Sequence, residues 1–432
     1  MKINTITAVP RLRFPEFQGN EGWERSEFNK VYDLKITNSL SRAKLNYVKG
    51  SIKNIHYGDI HTQFSALFDV EKEHVPFIDE EETNYKSETA DFCIEGDIVI
   101  ADASEDIKDI GKSIEIINLA NQKIVCGLHT IHARPKKDKL YIGFGAYLFQ
   151  SHFIRTQIQL ESQGAKVLGL SKGRLDKISL LLPNIKEQQK IADCLSSLDA
   201  LINAESEQLD TLKEYKAGLL QQLFPAEGET MPERRFSEFQ DDGDWNIEKL
   251  GDVCKFQQGI QVGIELQSKT PKQDHVRFIR IENYTQQSQD FRYVPNNLVR
   301  DKFILKNEVA IVRYGATAGF IGRGLEGVLA NNLFKVTPIE KFLDSDYLYV
   351  FLKSANVYEF FQSEMTGAAM PALSFGIVGA LNIAVPNLEE QRKIASFVSS
   401  LDNLIGSQTK KIKILKQHKQ GLMQQLFPVM KH

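Results

Sequence analysis

Cysteine is scarce in this 432-residue sequence: Cys93, Cys126, Cys194 and Cys254 lie far apart, with no Cys-x-x-Cys pair. That spacing argues against a disulfide framework or a cysteine zinc knuckle and fits a reducing compartment. No stretch approaches the ~20 consecutive apolar residues that cross a bilayer, and the opening residues hold neither an apolar signal core nor a cleavage site. A cytoplasmic location with no membrane partner is therefore expected. An excess of one charge is lacking too: 53 Lys and Arg stand against 56 Asp and Glu, a net charge of −3. Indiscriminate nucleic-acid binding through bulk charge is excluded, and any basic surface has to be local. What remains is an ordinary globular composition, 42% hydrophobic and 25% charged with mean hydropathy −0.29. Its length suits two to four domains.

Signals for covalent chemistry are thin. Gly111-Lys112-Ser113 imitates the end of a phosphate-binding loop, but Asp106 occupies the position of that loop's first glycine. His129 and His132 sit in a strand-like stretch whose alternation sends the two rings to opposite faces. No carboxylate or cysteine is expected to complete a ligand set, so a packed or hydrogen-bonded pair and no metal are expected. Asp106-Ile107-Lys108 lies in an acid-rich loop, where such tripeptides are common. Neither a glycine-rich cofactor fingerprint nor the Asn-Pro-Pro-aromatic or Asp-Pro-Pro-Tyr motif of adenine methyltransferases occurs. No bound cofactor and no methyl transfer by this chain itself are expected.

The sequence repeats itself. Pro10, Arg13, Phe14, Glu16, Phe17, Gln18 and Trp23 recur 222 residues later as Pro232, Arg235, Phe236, Glu238, Phe239, Gln240 and Trp245. From Gly164 and Gly367 onward the offset is 203, and residues 183–225 align without gaps on 386–428 with 23 identities in 43 positions. Between these shared parts the two halves differ in sequence and by 19 residues in length. The order is variable domain, shared segment, variable domain, shared segment, which duplication and divergence explain.

Each shared segment opens on a capping pair, Asn184 with Glu187 and Asn387 with Glu390, and closes on Phe-Pro, where helices stop. Between these ends Ile191, Leu195, Leu198, Ile202, Leu209, Leu212, Leu219 and Leu223 keep a heptad spacing, interrupted at Glu205 and Lys216. The twin runs Ile394, Val398, Leu401, Ile405, Ile412, Leu415, Leu422 and Leu426, interrupted at Gln408 and Lys419. Each segment is long enough for a helical rod of about 60 Å. One narrow apolar seam per rod requires a partner. Residues 183–225 carry four Lys against seven Asp and Glu, net −3, while 386–428 carry seven Lys and Arg against three acids, net +4. Complementary charge favours pairing of the two rods with each other over a homodimeric coiled coil, and leaves their relative direction open.

The variable segments read as α+β. Short β-type runs cover 97–100, 114–117 and 123–126 in the first and 276–281 and 309–312 in the second, followed by helical patterns at 147–161 and 347–364. Basic residues gather at Arg25 to Lys53, at Arg134 to Lys139, and in the second domain at Arg277, Arg280, Arg292, Arg300, Lys302, Lys306, Arg313 and Arg323. Interspersed Asn and Tyr suit contacts to base edges and backbone, although a solvated charged face produces the same composition.

At this point the motifs become recognisable. Pro-Asn-Ile-Lys-Glu-Gln-Gln-Lys-Ile-Ala and Pro-Asn-Leu-Glu-Glu-Gln-Arg-Lys-Ile-Ala open the long helices, which end in Gly-Leu-Leu-Gln-Gln-Leu-Phe-Pro and Gly-Leu-Met-Gln-Gln-Leu-Phe-Pro. This arrangement closely resembles the specificity subunits of type I restriction-modification systems over essentially the whole chain. Arg-Phe-Pro-Glu-Phe and Arg-Phe-Ser-Glu-Phe, residues 96–106 and Arg-Tyr-Gly-Ala-Thr-Ala-Gly at 313–319 support it. The resemblance implies two globular α+β target recognition domains, 1–182 and 226–385, joined by two long antiparallel coiled-coil helices, 183–225 and 386–432, in a pseudo-two-fold repeat. It further implies double-stranded DNA with a bipartite site, a spacer set by the helices, and docking of two methyltransferase subunits. S-adenosylmethionine, ATP and magnesium would then belong to partner subunits, including restriction and translocase subunits where restriction accompanies modification. Ile191, Leu195, Leu198, Ile202, Leu209, Leu212, Ile394, Val398, Leu401, Ile405, Ile412 and Leu415 would serve helix pairing and docking. Four residues added within 203–212 would lengthen the spacer.

For DNA contact the candidates are Arg42, Lys44, Asn54 and Lys112 in the first domain and Arg280, Asn283, Arg313, Tyr314 and Thr317 in the second, each polar or basic near a strand end. A specificity subunit of a modification-only system and a coiled-coil scaffold that binds no DNA are the alternatives. An autonomous nuclease is the reading the missing motifs disfavour most.

Overall fold

In a computed structural model that describes all residues except 1–6, 80, 82–90, 227, 300–301, 366–371 and 430–432, the chain divides into two compact units. The first holds residues 1–206 and 410–432, the second 207–409. Each unit thus combines one variable domain with part of each long helix, Ile185–Leu223 and Leu388–Leu426.

The first unit is built on a five-stranded sheet in the order Tyr32–Lys35, Thr130–Pro135, Ile98–Ala101, Ser113–Asn118 and Leu67–Asp69, antiparallel except for its last pair. A separate four-stranded sheet in the same unit has the order Ile124–Cys126, Lys53–Ile55, Phe77–Ile78 and Leu45–Asn46. The second unit has a four-stranded sheet in the order Cys254–Gln258, Leu333–Pro338, Val309–Val312 and Ile321–Gly322. Beside it lies another of Arg292–Pro295, His275–Ile279, Gly327–Leu329 and Phe303–Ile304. The β-type runs expected at 97–100, 114–117, 123–126 and 309–312 are strands to within about one residue. The run at 276–281 ends early, because Arg280 caps the helix Ile281–Thr285. Each late helical pattern is two helices with a short break: Phe144–Gln150 and His152–Glu161 flank Ser151, and Ser345–Leu352 and Ala355–Met365 flank Lys353 and Ser354. Glu115, wholly inside, accepts the amides of Gly143 and Ala146 at 2.7 Å, and burial pushes its carboxyl up to about 8.

In each unit the two helices run antiparallel, which the charge counts alone left open. In the first, Lys419 donates to Asp199 at 2.6 Å and Lys411 to Glu205 at 2.6 Å, so positions that rise along one helix fall along the other. In the second, Lys216 meets Asp402 at 2.5 Å and Gln408 lies against Gln208 at 3.4 Å. The polar residues that interrupt the heptads are therefore register marks rather than defects. Half-exposed ion pairs add little stability, but each wrong register would set charge against an apolar partner. Ile191 and Leu195 share a core with Leu426, and Leu219 and Leu223 share one with Ile394, Val398 and Leu401. Ile202 and Ile412 are buried, and Leu198, Leu209, Leu212, Ile405 and Leu415 half-buried. The seam's partner in each unit is thus the other helix of the same chain.

The repeated leader is a clip on the first turn of each long helix. Arg13 forks onto Glu187 at 2.8 and 2.7 Å, as Arg235 forks onto Glu390 at 2.8 and 2.8 Å. Glu16 meets Lys190 and Glu238 meets Lys393, and those lysines also lie over Phe14 and Phe236. Asn184 and Asn387 accept the amides of Glu187 and Glu390, the caps expected from sequence. The adjacent glutamines tie the globular domain to this turn. Gln188 bonds Tyr141, Lys139 and Pro183, and Gln391 bonds Asp344, Phe342 and Pro386. Trp23 Nε1 also donates to Glu187 at 3.1 Å, whereas the buried Nε1 of Trp245 has no such partner.

Candidate nucleic-acid interface

Both units carry the same backbone knot at one end of the main sheet. In the first, Ala101 pairs with Thr130, Asp102 N–H donates to His129 at 3.0 Å and Leu170 N–H to Asp102 at 2.8 Å. In the second, Val312 pairs with Leu333, Arg313 N–H donates to Asn332 at 2.8 Å and Leu373 N–H to Arg313 at 2.9 Å. The loops after the central strand close alike, Gly111 on Ala101 and Gly319 on Val312, with left-handed φ of 66° and 86° that glycine permits.

The side chains on this common frame differ. In the first unit Asp102 and His129, 3.2 Å apart, help line a cleft of about 490 Å³ with Thr37, Asn38, Ser171 and Lys172. Burial pushes the Asp102 carboxyl above its ordinary range. In the second unit Arg313 and Asn332 stand in the places of Asp102 and His129. Arg313 donates to the neutral Gln258 at 2.7 Å and lies over the Tyr314 ring at 4.7 Å. Gln258 in turn donates to Asn331, and Asn331 reaches Gln261 at 3.5 Å. Thr317 is exposed in the adjoining loop.

The other candidates are engaged or turned inward. Arg42 forks onto the buried Asp59 at 2.9 and 2.5 Å and touches Tyr47, and the Asp59 hydrogen bonds hold its guanidinium above the usual range. Lys112 donates to the His61 carbonyl at 2.6 Å, so Arg42 and Lys112 meet at one helix, Tyr57–Thr62. Ser113 begins a strand rather than a helix, which leaves Gly111-Lys112-Ser113 without the helix N-terminus that a phosphate loop needs. Lys44 is exposed. Asn54 is fully buried in the strand Lys53–Ile55, where its Oδ1 accepts from Asn38 at 2.7 Å, and it presents no edge to solvent. Asn283, also buried, accepts the Arg280 amide as a cap, and Arg280 spans Glu282 and Asp290.

Many of the clustered basic residues are likewise bound to acids: Arg134 to Asp97, Arg292 to Asp290 and Arg323 to Asp346. Arg300 lies outside the described residues. Among the described residues Arg313 has no carboxylate partner. His129, at a left-handed φ of 56°, lies just before the strand Thr130–Pro135, so strand alternation does not relate the two rings, and each histidine finds a carboxylate. His129 meets Asp102, and His132 meets Asp97 at 2.6 Å. Cys93 and Cys126 close on the same histidine, correcting the expectation that no cysteine joins it. Asp106 forms a local turn, its Oδ1 accepting the Lys108 amide.

Two like frames with unlike linings define a duplicated recognition module. The family model for the type I restriction modification DNA specificity domain matches residues 20–214 and again 242–417, and the chain belongs to that family as a specificity subunit with two such domains. It is 24% identical to the putative type I restriction enzyme MjaX specificity subunit of Methanocaldococcus jannaschii over 93% of this chain and 92% of that one. It is 29% identical to the MjaVIII specificity subunit of the same organism, a match spanning 43% of this chain and 42% of that subunit. Its fold is shared with the S subunit of a type I restriction-modification system from M. genitalium, at TM-score 0.60 and 16% identity over 98% of this chain and 100% of that one. A chain from a type I system described for complex assembly and conformational transition matches at TM-score 0.56 and 15% identity, over 97% and 99%. No described helix is long and apolar enough to cross a membrane.

Proposed function

We propose that each unit reads one half of a bipartite duplex site and that the helix residues between the units in the chain set the unspecified spacer. In this reading the chain performs no covalent step. It positions methyltransferase subunits, which hold S-adenosylmethionine, on adenines of the target, with ATP- and magnesium-dependent restriction subunits where these are present. The assembly described for a structural neighbour supports such partnering. The observation that carries the proposal is the replacement, on one backbone frame, of Asp102 and His129 by Arg313 and Asn332. An acid accepts from cytosine N4, whereas arginine and asparagine pair with guanine and adenine edges, so the halves suit different bases.

Fluorescence anisotropy of a labelled target duplex tests this, with the methyltransferase subunits present and salt varied. Binding is expected to weaken with salt as phosphate contacts are lost. Arg313→Ala is expected to cost about 1–3 kcal/mol and to relax preference at a single position of one half-site. A chain that assembles with its partners but shows no duplex binding at low salt would instead be the scaffold.

A further inference from the structure

The first unit holds a second cluster of ligating groups that DNA reading does not use. Cys93, in the segment before Ile98–Ala101, Cys126 at the end of one strand and His132 within another converge inside the core, with exposures of 4%, 0% and 0%. Their Sγ, Sγ and ring-nitrogen atoms lie within 4.8 Å of one another, and the two Sγ atoms are 3.5 Å apart. The edges of a zinc site with sulfur and nitrogen ligands are about 3.5–4 Å by bond-length geometry, so small side-chain rotations close the set.

The far side of the histidine is already arranged. Its Nε2 lies 2.6 Å from Asp97, which also accepts from Arg134 Nε at 3.0 Å and Nη2 at 2.8 Å. A carboxylate on Nε2 fixes the proton there and leaves Nδ1 with a lone pair, the outer partner that metal-bound histidines commonly have. That Nδ1 is buried and has no hydrogen-bond partner. A buried ring nitrogen with no hydrogen-bond partner, in a residue that also lies beside two buried sulfurs, is costly in a core unless something satisfies it.

We propose that Cys93, Cys126 and His132 bind one zinc ion, tying together three segments that meet only through the fold. Charge favours the dication. Two thiolates and Zn²⁺ sum to zero, as do Asp97 and Arg134, whereas a monovalent copper ion would leave a net negative charge in the core. Thiolate is the ligand form of cysteine, so binding displaces the two thiol protons. Three side chains fill three of the four tetrahedral positions, and the fourth ligand is a water or a backbone oxygen.

The test uses the full chain, reduced and stripped with chelator, then titrated with zinc alone or with cobalt(II) as a spectroscopic probe. One zinc per chain is expected, with two protons released per ion and a raised unfolding temperature. Cobalt should give the charge-transfer band of two thiolate ligands. Cys93→Ser, Cys126→Ser and His132→Ala are each expected to abolish tight uptake, and Asp97→Asn to weaken it roughly 10–100-fold. Cys194→Ser, on the long helix, should leave it unchanged. No uptake by the reduced chain, unchanged uptake in Cys126→Ser, or thiols that only join as a disulfide would overturn the site. If a variant fails to fold, the cobalt spectrum of the unmodified chain decides, because a spectrum without thiolate bands contradicts the assignment.

Discussion

Exchanging residues 24–163 for the equivalent segment of a family member with a different target is expected to change one half of the methylated sequence completely and leave the other half and the spacer as they were. The exchanged segment contains Asp102 and His129 and the sheet that carries them, while both its flanks are shared sequence. The leader before Trp23 clips onto the long helix through Arg13 and Glu187, and the helix starts on its own cap at Asn184. A graft between these anchors keeps the Arg13–Glu187 clip and the Asn184 cap and replaces Asp102 and His129, while the backbone that Gln188 bonds comes with the graft. Methylation mapping of the chimera with its partner subunits checks the outcome. Two unchanged half-sites would show that the lining does not read bases.

A large loss of stability is expected from Arg13→Ala. Glu187 is only 1% exposed and Arg13 8%, so removing the guanidinium leaves a carboxylate inside the joint with Trp23 Nε1 and the Asn184-capped amide turn as company. Stranding one member of a buried pair costs about 3–5 kcal/mol. Arg13→Lys should recover little, because an ammonium cannot reproduce the two-pronged contact. Adding Glu187→Gln to Arg13→Ala should recover part of the loss, since the stranded charge is then gone. Urea unfolding of the full chain, followed for the transition of the first unit, measures all three. A transition unmoved by Arg13→Ala would mean that the clip does not hold the domain to its helix.

The helices were legible because their information is local. A heptad seam, a cap three residues from its partner and a duplicate copy all survive in a linear reading, and even the polar interruptions at Glu205, Lys216 and Lys419 turned out to mark cross-helix partners. Alternating strands were legible for the same reason. The recognition frame was only half visible. Arg313 is recognisable as a basic candidate beside Tyr314, yet its counterpart in place, Asp102, is not, and neither is the correspondence of His129 with Asn332, because equivalence emerges only from which strands pair. Polarity near a strand end suggests Asn54 as an exposed reader, but its strand is buried at both Asn54 and Ile55, and Gly127 approaches it closely. Arg42 looked available until Asp59, 17 residues away, closed on it. Cys93, Cys126 and His132 show the same limit, since strand pairing rather than spacing gathers them.

Adenine methylation mapped across the genome of a host that carries this chain with its methyltransferase subunits, against the same host lacking the chain, decides whether the chain sets the target. The expected result is a two-part motif, its halves unlike and separated by an unspecified gap, that disappears when the chain is removed. An identical methylation pattern in both hosts, with all subunits expressed and associated, would contradict it.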